Sequence, residues 1–265
     1  MYAFDYIRAA SIEDAQKALG GQTEAHVLAG GQTLLPAMKL RLASPATIID
    51  LGKVAELQGA SMKDGKLAIG AMTTHAAVAE SDAVRGAIPG LAALAESIGD
   101  PQVRHRGTIG GSIANDDPAA DYPAGLLALD ASVVTTKRSI AADDFFQGLF
   151  TTALEAGEII KSVEFPVPQG FAYEKFSHPA SRFALVGVAV AKIGSLVRVA
   201  VTGAGENGVF RWGEAESALA SNFSVGTLDG LSLVADGMMS DMHADAEYRA
   251  HLVKVIARRA VAKLT

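Results

Sequence analysis

Two pairs of adjacent glycines, Gly30-Gly31 and Gly110-Gly111, constrain this chain more than any other feature. Without a Cβ the backbone turns sharply, and a ligand can approach its N–H groups closely. The first pair stops a short apolar run, His26-Val27-Leu28-Ala29, and Thr33 then stands as the predicted N-cap of a helix over Leu34 to Leu42, with Pro36 tolerated in its first turn. In the order strand, glycine turn, helix, open amides and the helix dipole together favour phosphate. Thr108-Ile109-Gly110-Gly111-Ser112 repeats the pattern inside a polar stretch, Gly99 to Pro118, that reads as a long irregular loop. One such pair alone is most simply a tight turn. Two pairs with hydroxyl donors beside them suit the diphosphate of a single extended dinucleotide. Asn115 and Asp121 follow the second pair. On local grounds Asp121 serves equally well as an acceptor for sugar or ribityl hydroxyls and as a helix-start charge.

Composition narrows the chemistry. The 265 residues are 49% hydrophobic and 20% charged, enough apolar surface for real cores, which excludes a disordered tail. A formal charge of −6 and a pI near 5.5 guarantee no basic face, so nucleic acid is not the expected partner. There is no cysteine, hence no disulfide, no thiolate-ligated cluster and no cysteine nucleophile. Redox chemistry here requires a bound organic cofactor. His26, His75 and His243 are scattered without ligand spacing, so no metal site is expected and ordinary core or surface roles suffice for them. The start MYAFDYIRAASIEDA has no secretory pattern and no 18-residue apolar run exists, which gives a cytoplasmic protein without a transmembrane segment as the expectation.

Along the chain, Tyr2, Phe4 and Tyr6 alternate as in a half-buried strand, and Ser11 with Asp14 opens a helix through Leu19. Strands are predicted at 47–51 and at 66–69, the second after an Asp64-Gly65 hairpin turn, and helices at 74–80 and 87–98. Pro166 and Pro168 mark the best linker. The predicted division is 1–168, with subdomains of about 1–55 and 56–168, followed by 169–265. A last helix over Ala244 to Lys263 carries Tyr248 on its apolar stripe and Arg249 on its solvated face. Gly203 to Gly208 fits G-x-G-x-x-G, but the required helix does not open inside the motif, so a nicotinamide-dinucleotide fold is rejected. Arg104-His105-Arg106 is read as a solvated or partner-facing salt-bridge cluster rather than as catalytic.

AGGQTLLPAMKLRL at 29–42, IGAMTTHAAVAES at 69–81 and RGTIGGSIANDDPAADYPAGLLAL at 106–129 resemble the FAD-binding middle subunit of molybdenum hydroxylases, the group that includes aerobic carbon monoxide dehydrogenase and xanthine dehydrogenase. GAGENGVFRWGEAESAL at 203–219 is similar to the C-terminal domain of the carbon monoxide dehydrogenase medium chain, so the resemblance covers essentially the whole chain. It implies an α+β fold: a two-subdomain FAD-binding domain of the vanillyl-alcohol-oxidase/PCMH type, then a small domain with a three-stranded antiparallel sheet and helices. Carried over position by position, it places one diphosphate loop on Ala29, Gly30, Gly31, Gln32, Thr33 and Leu34, and the other on Thr108, Ile109, Gly110, Gly111 and Ser112. It puts Asn115 and Asp121 beside the ribityl and phosphate region, Ile160 near the adenine and Lys175 on the flavin side. Gln32 and Thr33 stand where several members have His and Ser, which keeps the hydrogen-bonding capacity, and His105 replaces a commoner Asn.

The function implied is electron transfer through noncovalent FAD, with no catalytic side chain. Electrons would come from [2Fe–2S] clusters of a small partner subunit after a large molybdenum-cofactor subunit has oxidised the substrate, carbon monoxide being the leading expectation, and would leave to an external acceptor. The partners would be those two subunits, with a dimer of heterotrimers as the larger assembly. The alternatives are a self-sufficient PCMH-type flavin oxidoreductase and a noncatalytic assembly subunit without flavin.

Overall fold

The computed structural model describes residues 1–22 and 24–265. Its first sheet is parallel, in the order β1 (Asp5–Arg8), β3 (Thr47–Asp50), β2 (Ala25–Leu28), with α1 (Ile12–Gly21) and α2 (Leu34–Lys39) in the crossovers. The central strand β3 buries Thr47, Ile48 and Ile49 in succession, as a strand covered on both faces does. Ser11 caps α1 as predicted, its hydroxyl accepting from the Asp14 N–H at 3.1 Å. The predicted half-buried strand at the N-terminus differs from what is observed. Tyr2, Phe4 and Tyr6 are all exposed, because β1 begins only at Asp5 and lies at the sheet edge, where the Tyr6 hydroxyl donates to the Asp50 carboxylate. The core beneath this sheet is small, built on Ile12, Ile49, Leu51, Leu57, Met72 and Ile159.

The second sheet is antiparallel: β4 (Ala60–Lys63), β5 (Lys66–Gly70), β6 (Ser132–Thr135), β7 (Ser139–Ala141) and β10 (Ile160–Pro166), in the order β4-β5-β10-β6-β7. β8 (Phe146–Gly148) and β9 (Thr151–Thr152) form a separate small pair. The Asp64-Gly65 turn is present, with φ of +50° and +76°, the paired positive values that a tight primed hairpin requires. Leu67, Ile69, Val163 and Phe165 from this sheet pack with Leu91, Leu94, Tyr122 and Leu126 into the largest core of the molecule. The helices over it are α3 (His75–Glu80), α4 (Asp82–Ala87), α5 (Pro89–Glu96), α6 (Pro101–Arg104), α7 (Ile109–Asn115), α8 (Asp121–Ala128) and α9 (Ala142–Phe145).

The stretch from Gly99 to Pro118 is therefore not an irregular loop, since α6 and α7 lie inside it. Both are set by caps rather than by apolar periodicity. The Asp100 carboxylate accepts from the Val103 N–H at 2.8 Å with Pro101 at the first helical position, and the Thr108 hydroxyl accepts from the Gly111 N–H at 3.1 Å. α2, in contrast, ends at Lys39 rather than running to Leu42; Thr33 makes no side-chain cap bond, and Arg41 turns the chain at φ +62°.

After Pro166 a short connection leads into the third sheet, β11 (Gly170–Ser177), β12 (Ala184–Ile193), β13 (Leu196–Thr202) and β14 (Phe210–Arg211), antiparallel in chain order. A two-residue fourth strand thus extends the expected three. β12 serves two cores through its period of two: Val186, Val188 and Val190 join the core of α11 (Ala246–Ala262), while Ala189 and Ala191 join the core of α8. The glycine motif at 203–208 connects β13 to β14, and α10 (Gly213–Ser221) opens only afterwards. On α11 the expected faces are reversed at two residues. Tyr248 is exposed, whereas Arg249 is buried and donates to the Leu185 carbonyl at 2.7 Å, the Gly203 carbonyl at 2.5 Å and the Asp241 carboxylate at 2.7 Å. Its guanidinium satisfies acceptors that strand pairing leaves open, which hydropathy does not register.

Candidate functional site

The first glycine loop leaves β2 and enters α2 with its donors open. Among the described residues, the N–H groups of Gly30, Gly31, Gln32 and Thr33 donate to no protein acceptor. Gly31 sits at φ +74°, where a Cβ is strained. Gly30 answers a different constraint: a Cβ there would lie 2.0 Å from the Arg106 carbonyl oxygen and 2.8 Å from the Gly107 Cα. The glycine is what lets the first loop touch the segment leading into the second.

The second loop is a helix start rather than a turn. Its amides are engaged inside the protein: Ile109 to the Thr73 carbonyl at 3.1 Å, Gly110 to the Ala71 carbonyl at 2.8 Å, Gly111 to the Thr108 hydroxyl and Ser112 to the Thr108 carbonyl at 3.0 Å. It therefore does not repeat the donor logic of the first loop. It contributes a surface without side chains, since a Cβ on Gly111 would stand 3.3 Å from the Ala29 Cβ across the gap. A Cβ on Gly110 would meet the Ala71 carbonyl oxygen at 2.7 Å, so this glycine is fixed by packing.

Between the loops runs a cavity of about 580 Å³, within the range of small-molecule and cofactor sites. Every residue predicted for the site lines it except Ile109 and Lys175. The Ile109 side chain is fully buried in the large core. Lys175 lies behind Asp121, its ammonium donating to Asp121 Oδ1 at 2.9 Å and to the Arg182 carbonyl at 3.0 Å. The Tyr173 hydroxyl donates to the same oxygen at 2.5 Å. Asp121 is the first residue of α8 and almost wholly buried, so it is a helix-start charge and a cavity group at once. Burial pushes its carboxyl up, against the lowering pull of Lys175 and Tyr173. Behind it the Thr202 hydroxyl, fully buried on β13, lies 3.0 Å from the Pro118 carbonyl and 2.7 Å from that of Ala120, joining the third sheet to the cavity wall.

Four ionisable lining side chains lie outside the predicted site residues: His26, His75, Asp117 and Glu158. Glu158 is a buried carboxylate. Burial alone would raise its pKa, but the Glu155 N–H, the Thr135 hydroxyl and Arg138 hold it below the usual range. His75 is buried, and burial followed by the nearby Arg104 charge lowers its pKa to about 4, so the ring is neutral at physiological pH. Arg104 is a loop staple and not part of a salt-bridge cluster, since its guanidinium donates to the Ile98 and Gly99 carbonyls at 3.0 and 3.3 Å. Among the described residues no group of three or more His, Asp or Glu side chains is placed to hold a metal, and no helix is long and apolar enough to cross a membrane.

The residues fit a dinucleotide: open amides for a diphosphate on one side, a surface without side chains on the other, and apolar wall beyond both. Comparison with known proteins agrees. Residues 2–168 match the family described as the FAD binding domain in molybdopterin dehydrogenase. Over 98% of its length the chain is 39% identical to the nicotine 6-hydroxylase medium subunit of Paenarthrobacter nicotinovorans, covering 96% of that protein. It is 38% identical to the carbon monoxide dehydrogenase medium chain of Afipia carboxidovorans, over 98% of this chain and 96% of that one. Its fold superposes on a chain of reconstituted CO dehydrogenase from Oligotropha carboxidovorans with a TM-score of 0.90 at 34% identity, over 98% and 97% of the two chains. The chain belongs to the family of FAD-binding subunits of molybdopterin-dependent dehydrogenases.

Proposed function

We propose that the cavity between the two glycine loops holds FAD noncovalently and that the chain is the electron-transferring subunit of a molybdenum hydroxylase complex. When bound, FAD supplies the redox chemistry, accepting electrons from [2Fe–2S] clusters of a small partner subunit and releasing them to an external acceptor. The chain's own residues bind and orient. The amides of Gly30 to Thr33 hold the diphosphate, the glycine face of the second loop lets it close, and Ser112, Asn115 and Asp121 hold polar groups along its length. Ile160 lies toward the adenine, and Lys175 acts on the flavin side through Asp121. Residues 1–168 form the cofactor domain, with subdomains of about 1–55 and 56–168, and residues 169–265 a second domain that fixes the cavity wall through Thr202 and Tyr173. The chain has no cysteine for the clusters, so these belong to a partner subunit, and substrate oxidation is assigned to a large partner subunit carrying the molybdenum cofactor. A dimer of such heterotrimers in the cytoplasm completes the proposal. Relatives of similar identity are named for nicotine, glyceraldehyde and carbon monoxide, so the expectation of carbon monoxide has no advantage over the others.

The observation that carries this reading is the meeting of the two loops around one cavity with four donors open on one side. The test is to titrate FAD into the full chain. The expected result is one equivalent bound and reducible by dithionite, no substrate turnover without partners, and loss of binding in Gly31→Val and Gly111→Val. Turnover without partners would favour a self-sufficient oxidoreductase, failure to take up FAD would favour an assembly subunit, and undiminished binding in both variants would remove the site.

A further inference from the structure

His75 opens α3 and is only 5% exposed, yet it lines the cavity. Its backbone N–H donates to the Gly107 carbonyl at 2.9 Å, which ties it to the segment entering the second loop. A Cβ on Gly107 would stand 2.5 Å from Nε2, so the glycine is what leaves room for that edge of the ring. On another side lies the Tyr122 ring, tilted by 49° with 5.4 Å between centroids. Among the described residues the imidazole makes no hydrogen bond to protein, and Nδ1 is sealed off without a partner. With Nδ1 sealed, a ligand in the cavity can reach the ring only through Nε2, and a buried imidazole on a cavity wall that has no protein partner points to such a ligand. The neighbouring wall, Ala71, Met72, Ile98 and Val103, is apolar. A neutral imidazole offers one N–H and one acceptor. A single neutral hydrogen-bonding group in an apolar slot suits the edge of a flat heteroaromatic ring and not a charged diphosphate, for which the first loop keeps its amides open.

We infer that His75 is a cofactor-contacting residue whose imidazole, through Nε2, hydrogen-bonds one of the heteroaromatic rings of the bound dinucleotide. This inference rests on the reading that the cavity holds FAD. It assigns a binding role to a histidine whose sequence context suggests none, and it explains the glycine at 107.

The test titrates FAD, FMN and ADP into the flavin-free full chain of wild type, His75→Gln, His75→Asn and His75→Leu, alongside the thermal midpoint of each unliganded protein. A glutamine amide reaches the position of Nε2, whereas an asparagine amide reaches that of Nδ1. FAD is expected to bind about tenfold more weakly to His75→Leu and His75→Asn, the size of one neutral hydrogen bond, and within about threefold of wild type to His75→Gln. The same loss in FMN places the contact on the flavin ring, and in ADP on the adenine. Wild-type affinity for all three ligands in His75→Leu would overturn the inference while leaving the FAD reading intact, as would rescue by Asn and not by Gln. Should His75→Leu fail to fold, the Gln and Asn pair decides alone. Failure of wild type to bind FAD is the separate result that removes the underlying reading and this inference with it.

Discussion

The first glycine loop keeps the amides of Gly30 to Thr33 open, whereas the second commits those of Ile109 to Ser112 to Thr73, Ala71 and Thr108. The first stands on a small parallel sheet over a core of a few side chains, and the second starts a helix seated on the largest core of the molecule. On the proposed reading the two divide the work: one would donate to the ligand, and the other would supply a rigid wall close enough for the donors to matter. Two similar glycine pairs do not imply two similar phosphate cradles. What distinguishes them is where each N–H finds its acceptor, and that is a property of tertiary structure.

The largest expected effect tests whether the loops touch. In Gly30→Ala the new Cβ meets only backbone, the Arg106 carbonyl at 2.0 Å and the Gly107 Cα at 2.8 Å, so the loops must part. The expected cost is about 3 kcal/mol in urea unfolding, with loss of FAD binding. Gly111→Ala meets the Thr108 hydroxyl at 2.9 Å and the Ala29 Cβ at 3.3 Å; because alanine gains about 1 kcal/mol over glycine within a helix, its net cost stays below about 1 kcal/mol. Equal stability of Gly30→Ala and wild type would mean that the two loops do not meet in solution.

A second difference appears only with pH. The helix of the second loop ends on Asp116, almost wholly buried and at φ +46°, and burial, then the adjacent Asp117 charge, raises its pKa to about 7. No buried acid ends α2. The folded pKa lies above the unfolded value, so the fold binds the proton more tightly; stability is fully present below about pH 4 and declines as pH rises towards 7. Full linkage sets a limit of about 4 kcal/mol, and Asp116→Asn, which tolerates the left-handed backbone, should recover about 2 kcal/mol at pH 8 and almost nothing at pH 4. A gain independent of pH would show that Asp116 is ionised in the fold and paired in some other way.

Parts of this organisation are legible from residues alone. Ser11 and Asp64-Gly65 act through neighbours a few positions away, and their cap and turn form as the sequence predicts. The glycine pairs point to the cavity they line because absent side chains show in any sequence. α6 and α7 do not announce themselves, since helices of four and seven residues, held by the caps of Asp100 and Thr108, are too short to carry a period. Arg249 reads as solvated because its carbonyl partners, Leu185 and Gly203, are 64 and 46 positions away. His75 escapes for the same reason: its neighbours Gly107 and Tyr122 become neighbours only when α3, α8 and the second loop pack. Local chemistry is written locally, while the roles of buried polar groups are fixed by contacts that no window of sequence contains.

The smallest effect separates the loops most cleanly, through the threonine that precedes each helix. Thr108 is buried, and its hydroxyl accepts from the Gly111 N–H at 3.1 Å, whereas Thr33 is exposed and makes no cap bond. Valine keeps the shape and removes the hydroxyl. Thr108→Val should therefore lower the unfolding free energy of the unliganded chain by about 1 kcal/mol, the worth of one N-cap. Thr33→Val should change it by less than about 0.5 kcal/mol. Under FAD titration the order is expected to reverse: Thr33→Val loses a donor to the diphosphate and binds about three- to tenfold more weakly. Thr108→Val stays close to wild type, because on the proposed reading the donors to the diphosphate stand on the first loop and the Thr108 hydroxyl is engaged in its cap bond. A Thr108→Val protein that binds FAD much more weakly while unfolding like wild type would show the hydroxyl meeting the ligand itself, and the second loop would then be a donor after all.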